Sequence, residues 1–201
     1  NTRMVLDFYE TDPKRGFYGG GGIDARFGKY PVTFALGGLP SDAPTWGEGF
    51  ARELSRQFSR TMAFGCHGTS LPLETNSITL DPTLKDAWGL SCIRATYSDH
   101  PDDLKNAQFL AGHATDIAHA AGALKVWPDL IGPQTLAVHL LGTCRMGNDR
   151  RTSVVDRYHR THDVRNLFIC DGSSMVTSSR GQPTETISAL AFRAGEHIAD
   201  F

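Results

Sequence analysis

The sequence is poor in cysteine: it has four, Cys66, Cys92, Cys144 and Cys170, widely spaced and without a CxxC pair. That argues against a disulfide scaffold or a zinc-ribbon ligand set and leaves four ordinary thiols, with no metal site expected. Charge of one sign is also missing. Twenty Lys and Arg face 22 Asp and Glu, a net charge of -2, so the chain lacks the basic footprint of a nucleic-acid binder. No apolar run approaches the roughly 20 residues of a membrane-crossing helix. A GxSxG elbow is absent, which weakens a hydrolase reading, and no strand–GxGxxG–helix unit provides a complete dinucleotide cradle. The chain opens on Asn1, Thr2 and Arg3 rather than Met, and we expect it to be a fragment of a longer protein.

With 40% hydrophobic and 21% charged residues the chain has the composition of a globular domain rather than a disordered one. The stretch 4–11 reads as a strand, broken by Asp12-Pro13. The four glycines Gly19 to Gly22 lack the flanking pattern of a phosphate loop and point instead to a tight turn or a close backbone contact. Thr45 and Glu48 have capping-box spacing, followed by Trp46, Phe50, Leu54 and Phe58 at helical intervals, which predicts a helix over 46–60. Ser77 to Leu80 and Cys92 to Tyr97 alternate as paired strands do, with turns at Asp81-Pro82 and over Lys85 to Gly89. Leu104, Leu110, Ala114, Ile117 and Ala118 mark one face of a helix from Pro101 that stops at Gly122. His113 and His119 on that helix are six residues apart, unlike a helical metal pair, and read as surface or capping histidines.

The last sixty residues place His139 beside the glycine-containing turn of Val138 to Gly147. Ser153 to Asp156 and Asn166 to Ser173 read as strands running into loops. Pro183 opens a final helix, with Gln182 at its cap and Ile187, Leu190, Ala191, Ala194 and Ile198 on its buried face. A strand that delivers Asp171-Gly172-Ser173 next to a helix N-terminus makes an edge that favours anions. On residue type alone, a satisfied core histidine beside a turn that merely reverses the chain is the favoured reading of His139.

The string His139-Leu140-Leu141-Gly142-Thr143-Cys144-Arg145-Met146-Gly147, then Ser153 to Asp156, Asn166 to Phe168, Asp171-Gly172-Ser173 and Pro183-Thr184, resembles the C-terminal signature of the glucose-methanol-choline flavoprotein oxidoreductases. Phe17 to Asp24 is similar to a segment of that family's bacterial sugar and sugar-acid dehydrogenases. The resemblance implies an α+β fold: an antiparallel sheet with helices on one face as substrate domain over 1–138, and a segment over 139–201 returning a strand and helix to the flavin domain. The N-terminal FAD-binding domain is expected to be missing from this chain.

The resemblance also implies chemistry. FAD takes hydride from an alcohol carbon of a sugar, polyol or sugar acid, and His139 stands where the family keeps the histidine that accepts the hydroxyl proton. Gln182 occupies the place of a second His or an Asn. It can orient a hydroxyl but cannot act as a base. Asp171 and Gly172 are expected along the ribityl and pyrophosphate, with Pro183 and Thr184 at the pyrimidine edge. Arg145 and Arg180 could hold acidic substrates or be solvated surface residues. Electrons would leave to a quinone, a cytochrome or oxygen. The alternative is a non-catalytic binding or assembly module that retains the fold, which Gln182 favours.

Overall fold

The computed structural model describes residues 3–127, 139–178 and 180–200. It is an α+β structure. Three antiparallel strands, β1 (Arg3–Val5), β2 (Gly21–Arg26) and β3 (Ala63–Gly68), form a sheet in the order β1-β2-β3. Between them lie two short helices, α1 (Pro31–Gly37) and α2 (Gly47–Phe58), joined edge-to-face by Phe34 and Phe58 at 5.8 Å. A separate ribbon pairs β4 (Ser77–Lys85) with β5 (Ser91–Thr96). Helices α3 (Pro101–Ala120) and α4 (Thr184–Ala199) follow. No described helix is long and apolar enough to cross a membrane.

Helix α3 packs on one face of the sheet, against β2 and β3. Ile23, Leu110 and Ala114 are the buried centre, with Val5, Phe8, Phe64, Phe109 and Ile117 around them. The buried row of α3 is Asn106, Leu110, Ala114 and Ala118, every fourth residue as the apolar spacing predicts, and Gly122 (φ 87°) stops the chain just beyond. Asn106 is the polar member of this row. Its Nδ2 donates to the Gly20 carbonyl at 3.1 Å, which satisfies one end of the buried amide, while its Oδ1 has no partner among the described residues. The glycine run is a close contact: a Cβ on Gly20 would lie 2.5 Å from the carbonyl oxygens of Phe8 and Tyr9. The N–H of Gly21 donates to Phe8 O at 2.9 Å, so the chain enters β2 backbone to backbone.

Several sequence expectations are corrected. The opening strand is three residues long, because a turn in which Tyr9 N–H donates to Leu6 O ends it. Thr45 does not cap α2. Trp46 is the N-cap, no side chain caps the helix, and Glu48 pairs instead with Arg52 at 2.6 Å. Asp81-Pro82 lies inside an irregular β4 rather than at the turn, which falls at Asp86–Gly89, where Asp86 Oδ1 accepts from the N–H groups of Trp88 and Leu90. Neither Ser153–Asp156 nor Asn166–Ser173 forms a strand. Only isolated bridges join Met146 to Val155, Val155 to Thr161 and Arg160 to Phe168. The reason is local: Asp156 Oδ1 takes the N–H of Tyr158 and Arg160, and Asp171 takes that of Ser173, turning the backbone each time. Val138, at the head of the His139 stretch, lies outside the described residues.

His113 is also not a surface histidine; it stacks on Phe8 at 4.2 Å and meets Phe109 edge-on at 4.5 Å. His119 is exposed in the last turn of α3.

Candidate functional site

Three pieces from the last third of the chain meet around Gly172. The stretch from His139 runs beside the turn at Asp171–Val176, with Cys144 N–H donating to Ser173 O at 2.9 Å and Met146 N–H to Ser174 O at 2.8 Å. A Cβ on Gly172 would lie 2.7 Å from Leu141 Cδ2 and 3.0 Å from Ile187 Cδ1. Glycine is therefore what lets the histidine stretch, the Asp171 turn and the first turn of α4 touch. Gly142, with φ 91°, passes under the carbonyls of Met175 and Val176 less tightly, a Cβ there lying 3.3 and 3.7 Å from them.

His139 is half-buried and has a left-handed backbone, φ 63°, which is uncommon for a residue with a side chain and marks a constrained position. Gln182 is exposed and precedes the helix by two residues; the helix cap is Pro183, not Gln182, because Thr184 is the first helical residue. Among the described residues neither the His139 imidazole nor the Gln182 amide is engaged in a hydrogen bond. Asp171 accepts from Ser173 N–H at 2.8 Å and from its hydroxyl, and these bonds hold its carboxyl below the usual carboxylate range despite partial burial. Pro183 is buried, and no side chain covers the first N–H groups of α4. That end of α4 therefore remains open to a negatively charged partner.

The two arginines part company. Arg145 is exposed and donates from Nε to Thr152 O at 2.9 Å. Arg180 is a strap rather than a solvated arginine. Its side chain is 18% exposed, and it crosses to the sheet, where Nε meets Thr69 Oγ1 at 3.1 Å, Nη2 meets Thr11 Oγ1 at 3.0 Å, and Nη1 meets the Tyr9 carbonyl and, at 3.5 Å, Glu10. Its guanidinium also lies 5.0 Å from the Tyr9 ring centroid. The segment leading to Gln182 is thus fastened to the end of the sheet where β2 begins and β3 ends.

Sequence reasoning missed a second group, on the sheet face opposite α3. Asp24 is 5% exposed, and its Oδ2 accepts from Arg26 Nε at 2.8 Å while Oδ1 lies 2.8 Å from His67 Nε2. Burial alone would raise the Asp24 pKa, but the hydrogen bonds and charges of Arg26 and His67 outweigh it and hold the carboxyl low. A Cβ on Gly65 would sit 2.2 Å from Asp24 Oδ1, so the glycine opposite Asp24 makes room for the group. The alternation Gly22-x-Asp24-x-Arg26 put these side chains on one strand face, but His67 joins them only through the pairing of β2 with β3, which the sequence does not announce. An open cleft of about 550 Å³, lined in part by Asp156, Arg160 and His197, lies at none of these residues.

A family model described as GMC oxidoreductase matches residues 72–191. The chain is 36% identical to 2-methyl-1,2-propanediol dehydrogenase of Mycolicibacterium austroafricanum, over 96% of this chain and 35% of that protein. It is 26% identical to the gluconate 2-dehydrogenase flavoprotein of Pantoea cypripedii, over 98% of this chain and 33% of the relative. To the fructose dehydrogenase large subunit of Gluconobacter japonicus it is 32% identical, over 76% of this chain and 28% of that subunit. The chain spans about a third of the length of these curated relatives.

Proposed function

The chain belongs to the GMC oxidoreductase family, and on that premise we propose that it is the substrate-facing part of a flavin-dependent enzyme that oxidises an alcohol group of a sugar, polyol or sugar acid, with His139 as general base. The observation that carries this reading is the meeting of the His139 stretch, the Asp171 turn and the uncapped start of α4 around Gly172. The names of three relatives support the substrate class, since a propanediol, gluconate and fructose each present more than one hydroxyl.

The residues present fit one side of an FAD. The open N–H groups and positive end of α4 suit an anionic ring edge, with Pro183 and Thr184 beside it, and Asp171 and Gly172 would lie along the ribityl and pyrophosphate. When bound, the flavin supplies the hydride acceptor. What this chain contributes is handling of the substrate hydroxyl. The His139 imidazole, free of any protein hydrogen bond among the described residues, accepts the hydroxyl proton, and the Gln182 amide accepts or donates a hydrogen bond to the same hydroxyl and fixes its direction. Gln182 does not itself take the proton, so this is a one-base mechanism.

The test is flavin bleaching by substrate in the full-length protein, followed by stopped flow. His139→Ala is expected to slow it by about 10²–10⁴ with flavin still bound, the usual cost of removing a general base. Gln182→Ala is expected to cost about tenfold, the size of one hydrogen bond. A His139→Ala protein that bleaches at the wild-type rate across neutral pH would overturn the assignment. A wild-type protein that takes up no flavin would support the non-catalytic module instead.

A further inference from the structure

The group formed by Asp24, Arg26 and His67 is buried at its centre, open at its rim, and has no part in the chemistry assigned to His139 and Gln182. We propose that it is a second recognition site, which reads a neutral hydroxyl of a polyhydroxylated substrate at a distance from the carbon being oxidised; this rests on the oxidoreductase reading above.

Asp24 is the anchor. Its side chain is 7% exposed, and both its oxygens are occupied by Arg26 and His67, so it does not meet a ligand itself. What it does is orient the other two. Arg26 Nε is held at 2.8 Å, which turns the guanidinium so that Nη1 is left without a partner among the described residues, and this side chain is half exposed. His67 Nε2 lies within 2.8 Å of a carboxylate oxygen that can only accept, so Nε2 carries a proton, and in the neutral ring Nδ1 is the acceptor. Arg26 Nη2 is 3.0 Å from that same Nε2, and since both are then donors the contact is not a hydrogen bond. The rim therefore offers donors, the two N–H groups of Arg26 Nη1, and one acceptor, His67 Nδ1. A hydroxyl, which both accepts and donates, is the simplest group that satisfies the two together.

Charge narrows the ligand further. The guanidinium is neutralised by the carboxylate it touches, so the site has little net attraction for an anion and suits an uncharged polyol or sugar better than a sugar acid. Position completes the case. α3 covers the opposite face of the sheet, and on the face carrying the group Gly22 lies directly across from His67. Thr69, which holds Arg180, is two residues beyond His67, about 7 Å along the strand direction, and Arg180 is two residues before Gln182. The strap thus brings the Gln182 segment to the end of the sheet nearer His67, while Arg26 lies at the far end of β2.

The experiment uses the flavin-loaded full-length protein with glucitol, gluconate and 1-butanol as probes, comparing wild type with Arg26→Gln and His67→Phe. The ratio of glucitol to 1-butanol kcat/KM is expected to fall about tenfold in each variant, the factor that one lost hydrogen bond represents, and to do so chiefly through the glucitol KM. Equal losses on glucitol and 1-butanol would mean that the group only holds β2 to β3, and the proposal would be wrong. A larger loss on gluconate than on glucitol would overturn the claim that it reads a neutral hydroxyl. Calorimetric titration with glucitol separates this proposal from the catalytic one: binding that Arg26→Gln abolishes supports the site even if no alcohol bleaches the flavin, and binding unaffected by either variant removes it. Arg26→Lys keeps the charge without the planar fork and is expected to resemble Arg26→Gln in the ratio.

Discussion

Single residues divide into those whose role is local and those whose role depends on a distant partner, and only the first kind could be read in advance. The His139 stretch, Asp171 and Pro183 stand in short motifs, and the roles expected of them came from the family resemblance of those motifs. Asp24 was not legible, because its partner His67 arrives from 43 residues away through strand register. The buried Asp24 carboxylate carries a consequence for acid stability. Its pKa is lowered on folding, so the stabilisation it supplies is fully present above the unfolded value, near 4, and is lost as pH falls through that value toward the folded one. The advantage of wild type over Asp24→Asn in urea midpoint is therefore expected to be constant above about pH 5 and to shrink as pH falls toward about 2. A gap that stays constant over that range would show that Asp24 is not held ionised by its neighbours.

Among the elements, α3 and α4 were legible because their buried residues recur at helical spacing and are punctuated by Pro101, Gly122 and Pro183. β3 was not anticipated: Ala63–Gly68 contains two glycines and a histidine, poor strand formers, and is a strand because β2 pairs with it along its whole length. The errors at Ser153–Asp156 and Asn166–Ser173 have the opposite cause, since strand-like residues there are overruled by aspartate side chains that bond their own backbone. How tightly the elements meet is testable at Gly172. Adding a methyl group 2.7 Å from Leu141 and 3.0 Å from Ile187 forces one of them to move. Gly172→Ala is expected to destabilise the protein by about 1–3 kcal/mol by chemical denaturation. Pairing it with Leu141→Ala should recover part of that loss, and strictly additive effects in the double-mutant cycle would show that the contact is not what limits the site.

At the scale of the whole molecule, α+β class and the family were both legible, whereas the arrangement of sheet and ribbon was not. The β4–β5 ribbon exposes Ile78, Leu80 and Ile93, each more than half accessible, and Leu80 pairs directly with Ile93. Trp88 at its tip is 86% exposed. A ribbon with an apolar face and, among the described residues, two unpaired edges is a template for association. The isolated chain is expected to show an apparent mass in light scattering that rises with concentration, and the double change Leu80→Lys, Ile93→Lys to suppress the rise. A chain that is monomeric at every concentration without those changes would rule out the ribbon as an adhesive surface.

The Arg180 strap finally has a consequence in time. Its partners Tyr9, Glu10 and Thr11 precede it by 169 to 171 residues. At the usual pace of translation, about 5–20 residues per second, the Tyr9–Thr11 loop leaves the ribosome roughly 10 to 35 seconds before the arginine that will fasten it. Late in that interval the nascent sheet has its helix α3 but not its clasp. Arg180 thus closes a loop made well before it, and a ribosome that stops short of Arg180 releases a sheet whose mouth is still unfastened.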